Sequence, residues 1–294
     1  MKLVAIPDLH LSKSFNVTYG DASLMEEHPY TLVKRILEVE QGENTHFIFL
    51  GDVFNTDHPS FHSIFKFLAT IEGYSVTIIS GNHDIPKIEK KSVLDYLSKY
   101  GYIVLRNAIV PIFNNSYALG WCDTQEIFVK NLTKVITKKP EQVFLHAGYN
   151  KWENEMDNVV TDSLINLALG NRVKLIAGHE HVHNIKKNTL YHLGSVMPLT
   201  IGELGKKYYW TSDKGLVEIK HKVGSSLADE FIITRDEIKA QGDKPILIRK
   251  GKVETEDLVL EKQEFDMDIL DNFKMKAIEE GFTKAFLKTR MDSE

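Results

Sequence analysis

The chain has 294 residues and a formal charge of −5, from 36 Lys and Arg against 41 Asp and Glu, with 43% hydrophobic and 26% charged residues. That length supports a well-buried core in one large domain with an appendage, and the composition is that of a globular protein rather than a disordered or fibrous one. The acidic balance argues against a broad basic face for gripping nucleic acid, no run of about 18 apolar residues offers a membrane span, and a single cysteine, Cys122, excludes an internal disulfide framework or thiolate zinc site.

Lys2 to Ile6 is a short apolar strand that Pro7 stops, and it follows Met1 without a basic, apolar leader. The expected location is therefore the cytoplasm, or the host cytoplasm for a phage-encoded chain. Asp8 and His10 come next as a D-x-H pair; in an extended segment residues i and i+2 share a side, so carboxylate and imidazole can face one ion. The spacing of Leu32, Val33, Ile36 and Leu37 predicts a helix over Tyr30 to Val39. His46 to Leu50 reads as a second buried strand, ending in Gly51-Asp52, and Phe61 to Ile71 as an amphipathic helix closed by Gly73. β-branched Val76, Thr77, Ile78 and Ile79 predict a strand over Tyr74 to Ser80, which leaves Gly81-Asn82-His83-Asp84 in the loop at its carboxyl end. Alone, those four are good turn formers. Strand, helix, strand, helix, strand, each strand delivering Asp or His, is a βαβ pattern, and open α/β sheets carry their sites at that edge.

Ser92 to Tyr100 is expected to be helical, followed by short strands at Tyr102 to Leu105, Ile109 to Phe113 and Ser116 to Leu119, with a turn at Asn114-Asn115. A helix over Thr124 to Thr137 leads to the strand Gln142 to Leu145, which delivers His146. A helix over Asp162 to Leu169 leads to the strand Val173 to Ala177, which runs into Gly178-His179-Glu180-His181. Val182 to Lys186 and Thr189 to Leu193 are strands around a Lys187-Asn188 turn, and then come Gly194-Ser195, Gly202-Glu203 and Tyr208-Tyr209-Trp210. Residues 1–222 read as one domain, 223–264 as a small capping unit with strand-like runs at Phe231 to Thr234, Pro245 to Arg249 and Leu258 to Leu260, and 265–294 as a helical arm. Cys122 reads as a small buried residue, and basic pairs such as Lys206-Lys207 as solvated surface lysines.

Asp8, His10, Asp52, Asn82, His146, His179 and His181 thus stand at the ends of apolar strands, with His83 to spare. Mixed oxygen and nitrogen donors in that number exceed what one ion needs but suit two divalent ions sharing a carboxylate, and they favour Mn, Fe, Zn or Mg. Each piece has a plain alternative, since Gly-Asp is a common turn and a lone His after a strand is more often a hydrogen-bonded core residue. The ordered set is what makes coincidence an inferior explanation. The remaining histidines take the structural reading, with His58 and His62 near enough to the Asp52 loop to watch.

D-x-H, G-D, G-N-H-D, H and G-H-x-H in this order resemble the motif series of the calcineurin-like metallophosphoesterases, over residues 1 to about 200. The resemblance implies an α/β fold, a two-sheet sandwich flanked by helices. It implies Asp8, His10, Asp52 and His181 on one ion and Asp52, Asn82, His146 and His179 on the other, with Mn the first expectation. His83 would protonate the leaving oxygen or steady transition-state charge, with Asp84 orienting it. Within the family, G-N-H-D and the lack of Asp-Arg-Gly after Gly51-Asp52 argue against protein serine/threonine phosphatases. Gly51-Asp52-Val53-Phe54, Gly194-Ser195, Leu199 to Glu203 and Tyr209-Trp210 look like segments of the SbcD-type DNA repair nucleases and phage recombination endonuclease subunits. Leu193 replaces their proline, and Asn55, where members often carry His or Asp, cannot transfer a proton.

That narrower likeness implies a metal-dependent DNA nuclease subunit with DNA as a partner, Gly194 and Ser195 near the substrate, and an SbcC-like coiled-coil ATPase docking on the arm through Phe273, Ile278, Phe282 and Phe286. A homodimer is open. The rival expectations are a phosphoesterase acting on small phosphodiesters or nucleotides, and a non-catalytic DNA-end-binding scaffold; a complete ligand set counts against the latter.

Overall fold

The central strands are apolar on both faces, so neither face can be left to water and layers must form on each side. The computed structural model describes residues 1–14, 22–86, 91–98, 101–113, 115–150, 158–200, 203 and 205–220, with backbone only for 22–25. Strands β1 (Lys2–Ile6), β2 (Thr45–Phe49), β3 (Val76–Ile79) and β4 (Ile103–Leu105) run parallel. β13 (Lys207–Thr211) adds antiparallel to β1 and β14 (Gly215–Ile219) to β13, giving a six-stranded sheet in the order β14-β13-β1-β2-β3-β4. The second sheet takes β5 (Ile109–Ile112), β6 (Ser116–Leu119), β7 (Gln142–His146), β10 (Lys174–Gly178), β11 (Asn184–Lys186) and β12 (Leu190–His192) in the order β11-β12-β10-β7-β6-β5. Its four inner strands are parallel and its two edges antiparallel. β8 (Gly148–Tyr149) and β9 (Val159–Val160) form a short ladder of their own.

Period-two alternation sorts each strand's side chains between layers. Leu3 and Ala5 of β1, Ile48 of β2, Phe144 of β7, Ile176 of β10 and Trp210 of β13 fill the space between the sheets. Val4, Ile6, Phe47 and Phe49 face the other way, onto Val33 and Leu37 of α1 (Ala22–Glu40) and Phe67 of α2 (Phe61–Ile71), with α3 (Val93–Leu97) beside them. On the far side Val143, Leu145, Leu175 and Ala177 meet Phe128 and Leu132 of α4 (Gln125–Ile136) and Ile165 of α5 (Asp162–Gly170). The result is the expected sandwich of two sheets with helices outside. Ser60 and Thr124 cap α2 and α4 by accepting from Ser63 N and Ile127 N, and Ser92 with Asp95 closes a capping box on α3.

Several elements depart from expectation. Helix α1 begins at Ala22 and carries Pro29 inside it, whereas the sequence places its start after that proline. β11 begins only at Asn184, because Val182 is an exposed loop residue. The β13–β14 hairpin and the β8–β9 ladder were not expected: β14 is a half-exposed edge strand, and β8 and β9 are too short to show a period. Lys99, Tyr100 and Asn114 lie outside the described residues. So do residues 221–294, and with them the capping unit, the arm and Phe273, Ile278, Phe282 and Phe286. Among the described residues no helix is long and apolar enough to cross a membrane.

At the end of the first sheet where β1 begins, buried Glu40 accepts from Lys2 Nζ, from Tyr209 Oη at 2.6 Å and from Lys214 Nζ at 3.2 Å. Burial alone would raise this carboxyl, but those bonds outweigh it and hold it below its ordinary 4.5. A depressed carboxyl contributes stability above its unfolded value and loses it as pH falls through the folded value. Glu40→Gln is therefore expected to lower unfolding free energy by about 1–3 kcal/mol at pH 7. The gap to wild type should narrow below pH 4.5. Urea melts at pH 7 and pH 3 check this, and a gap that stays constant refutes the linkage.

Candidate metal centre

Parallel pairing puts the carboxyl ends of β1, β2 and β3 at one edge of the first sheet, and those of β7 and β10 at one edge of the second. Register carries past the strands. Leu9 N and His10 N donate to Asp52 O at 3.1 and 2.9 Å, and Leu11 N to Val53 O at 2.9 Å, so the loops after β1 and β2 advance together. Val196 N donates to Asp8 O at 3.0 Å, which brings the segment after β12 alongside.

The expected ligands converge there. His10 Nε2 lies 2.9 Å from His181 Nε2, and Asp52 Oδ2 lies 3.5 Å from His10 Nε2 and 3.4 Å from His146 Nε2. Asn82 Oδ1 is 3.1 Å from His146 Nε2 and 3.0 Å from His179 Nδ1, and those two nitrogens are 3.3 Å apart. Asp52 belongs to two donor groups, one with His10 and His83, the other with His146 and His179. It thus occupies the shared position. Asp8 accepts from His179 N at 3.0 Å and lies 3.2 Å from His146 Nδ1, and its charge acts on both His10 and His181.

The D-x-H pair does not work as an extended segment. His10 has φ +46°, a left-handed conformation, and the Asp8 charge nonetheless acts on it. Asp52 (φ +47°) and His179 (φ +90°) are bent likewise. Trp121 forms an apolar wall, its ring 5.6 Å from that of His146 and 6.0 Å from that of His179.

Whether these residues fit divalent ions is answered by their outer nitrogens. His10 Nδ1 is 3.2 Å from Asn55 Oδ1, His181 Nδ1 is 3.2 Å from Glu203 Oε1, and His146 Nδ1 is 2.7 Å from the Leu50 carbonyl. Each partner can accept from its ring nitrogen, which leaves each Nε2 turned toward the centre, where it can take a metal ion in place of a proton. Two ring nitrogens 2.9 Å apart beside a carboxylate need positive charge between them, and either a shared proton or a divalent ion supplies it. The donor set fits a pair of divalent ions of the oxygen- and imidazole-binding kind.

Charge follows the same geometry. Burial acts to raise the Asp52 carboxyl, but the charge and bond of His146 outweigh it and hold it far below the carboxylate range. Asp8 is lowered for the same reasons. Burial pushes His10 down to about 4. Burial, then the Asp52 charge, push Asp84 up to about 7.

Asp84 is not placed to orient His83. Its oxygens accept from Gly81 N at 2.9 Å, Phe54 N at 3.0 Å and Val53 N at 3.3 Å, so it clips two loops together below the site. The acceptor on His83 Nδ1 is instead the Asn55 carbonyl at 3.0 Å, and the exposed imidazole stands edge-on to His10. Gly194 and Ser195 also depart from expectation. Both are buried, and the Ser195 hydroxyl donates to Met197 O at 2.7 Å and accepts from Lys207 at 3.0 Å, leaving neither open to substrate. His58 and His62 face Asp57 and Glu27 instead of the centre. Cys122 is buried as expected, and burial pushes its thiol up to about 11.

Sequence reasoning assigned no role to Asn55, Glu203 or Lys207. Lys207 is buried, contrary to its expected place on the surface, and burial pushes its ammonium down to about 8 despite Glu203. Glu203 is brought down to about 2, burial notwithstanding, by His181. The signal for Lys207 was period two: in a strand, Lys207, Tyr209 and Thr211 share one face, the one Tyr209 buries on the helix side of the sheet.

A sandwich of two mixed sheets with such a cradle on its joined edges is the architecture of a metal-dependent phosphoester hydrolase. The family model for calcineurin-like phosphoesterase matches residues 1–183, and the chain belongs to that family. No curated protein matches it. Among solved structures, it is similar to the phosphopantetheinyl hydrolase of Mycobacterium tuberculosis, at 10% identity and TM-score 0.39, over 66% of this chain and 89% of that one. It is also similar to a 5′-nucleotidase precursor from Thermus thermophilus, at 16% identity and TM-score 0.36, over 62% of this chain and 42% of that one.

Glycine is required where the cradle closes. A Cβ on Gly81 would collide with the Asp52 carboxylate and amide, whereas one on Gly170 meets nothing. Gly81→Ala is expected to lower bound metal below the wild-type content, measured by plasma emission after dialysis, with Gly170→Ala unchanged. Equal metal in both variants would remove Asp52 from the centre.

Proposed function

We propose that the protein is a two-metal-dependent DNA nuclease subunit, hydrolysing phosphodiester bonds in DNA recombination, repair or replication. The observation that supports this reading is the place of the nuclease-like segments. Glu203 bonds the candidate ligand His181, Ser195 pairs with Asp8, and Phe54 gives its N–H to Asp84 and packs on Phe67. These contacts bring parts of those segments up to the candidate ligands.

Two divalent ions, Mn first among them, would be held by Asp8, His10, Asp52, Asn82, His146, His179 and His181, and would supply Lewis acidity and charge at phosphorus. Asp52 spans both positions. With Nδ1 tied to Asn55, His83 presents Nε2 on the open side, where in its protonated form it donates to the departing oxygen. Asn55 orients both this imidazole and His10. The acidic chain then meets a polyanion through bound cations instead of a basic surface.

With added Mn, the purified protein is expected to cut linear DNA and bis(p-nitrophenyl) phosphate, and to leave nucleoside monophosphates intact. Turnover of monophosphates alone would transfer it to small-molecule phosphoester chemistry, and DNA retention without cleavage would make it a scaffold. His83→Ala is expected to keep its metal and lose about 10²–10⁴-fold in cleavage; wild-type rates in that variant take His83 out of the mechanism.

The same reading proposes an SbcC-like coiled-coil ATPase as partner, docking on residues 265–294. Truncation after Glu264 is expected to abolish co-purification with such an ATPase, and undiminished binding ends the idea.

A further inference from the structure

The imidazoles of the cradle are not held alike. The outer nitrogen of His10 meets an amide oxygen and that of His146 a backbone carbonyl, both neutral. Asp8 Oδ1 also approaches His146 Nδ1, at 3.2 Å, but Asp8 is itself a candidate ligand. His181 meets a carboxylate, Glu203, which is not itself among the expected ligands. Its Oε1 also accepts from Thr200 Oγ1 at 3.0 Å, and its Oε2 accepts from Leu199 N at 3.0 Å.

Behind Glu203 stands Lys207, on β13 and almost wholly buried. A lysine in a sheet interior is costly unless paired, so its contacts must account for its presence. Its Nζ donates to the His181 carbonyl at 2.8 Å and to Ser195 Oγ at 3.0 Å, and lies 3.8 Å from Glu203 Oε2. One ion pair therefore holds His181 from two directions, its carboxylate on the ring and its ammonium on the backbone.

We infer that Glu203 and Lys207 are positioning residues for the ion that His10 and His181 would share, and that they set the affinity of this position apart from that of its neighbour at His146 and His179. The inference rests on the two-ion reading of the centre. A carboxylate behind a ligand imidazole fixes its tautomer and ring plane and strengthens its donation, and losing such a partner typically weakens metal binding by about 10–100-fold. Neither residue touches the reacting atoms. The effect belongs to one ion of the pair.

The test is Mn titration of the metal-free full chain, read by calorimetry and by the electron paramagnetic resonance signal of unbound Mn. Wild type is expected to bind two ions. Glu203→Gln should keep one affinity and weaken the other by about 10–100-fold, with Lys207→Met showing a similar split. Glu203→Asp, which keeps the charge on a shorter stem, should weaken the same ion less, and it provides the reading if the Gln variant does not fold. A role confined to tying the segments together would lower the melting temperature and leave both affinities as they are, or reduce both equally. Either result overturns the inference while leaving the two-ion reading intact. A wild-type chain that binds no Mn overturns both.

Discussion

The interaction on which the site depends is the approach of two imidazole nitrogens, His10 Nε2 and His181 Nε2, at 2.9 Å. They come from opposite sheets, His10 after β1 and His181 after β10. Asn55 and Glu203 face the outer nitrogens, so the inner pair is turned to whatever positive charge lies between them. A shared proton, or a metal ion in its place, makes the arrangement favourable. The inter-sheet layer around Phe144, Ile176 and Trp210 fixes the spacing of the two sheets and so the spacing of these nitrogens. Interior packing at near-crystalline density gives such a layer little freedom to drift.

The backbone pays locally for this convergence. His10, Asp52 and His179 all adopt positive φ, a conformation uncommon outside glycine. Each bend is held by bonds that reach another element. His10 N is tied to Asp52 O, His83 N to Asp52 Oδ1, and His179 N to Asp8 Oδ1. The carboxylates thus have two tasks, facing the centre with one part of their lone pairs and straightening the neighbouring loop with another. Gly51 and Gly81 complete the device, since a side chain at either would occupy the space of His146 or Asp52.

Much of this was legible in the sequence, and for definite reasons. Buried parallel strands are nearly continuous apolar runs, so β1, β2, β3, β7 and β10 announce themselves, and their carboxyl ends name Asp8, Asp52, Asn82, His146 and His179 directly. What spacing could not give was direction. A D-x-H pair reads as one face of an extended strand, but His10 takes a left-handed turn instead. Asp84, next to His83 in the chain, invites the role of its partner; the loop turns it inward, onto three backbone N–H groups. Asn55 is the converse case, a residue without acid-base chemistry that nonetheless orients His10 through its side chain and His83 through its carbonyl.

The Lys206-Lys207 pair shows the same limit most sharply. As composition, two adjacent lysines are a solvated patch. On a strand, adjacent residues point to opposite faces, so the pair divides: the Lys206 side chain is 69% exposed and that of Lys207 is 1% exposed. The buried ammonium lies in a region otherwise supplied with acceptors, the His181 carbonyl, the Ser195 hydroxyl and the Glu203 carboxylate. In a chain of net charge −5, one positive charge that bears on the centre among the described residues is thus an interior one. It is a lysine placed by strand alternation behind a carboxylate that in turn faces a candidate ligand, and no count of lysines along the chain distinguishes it from its exposed neighbour.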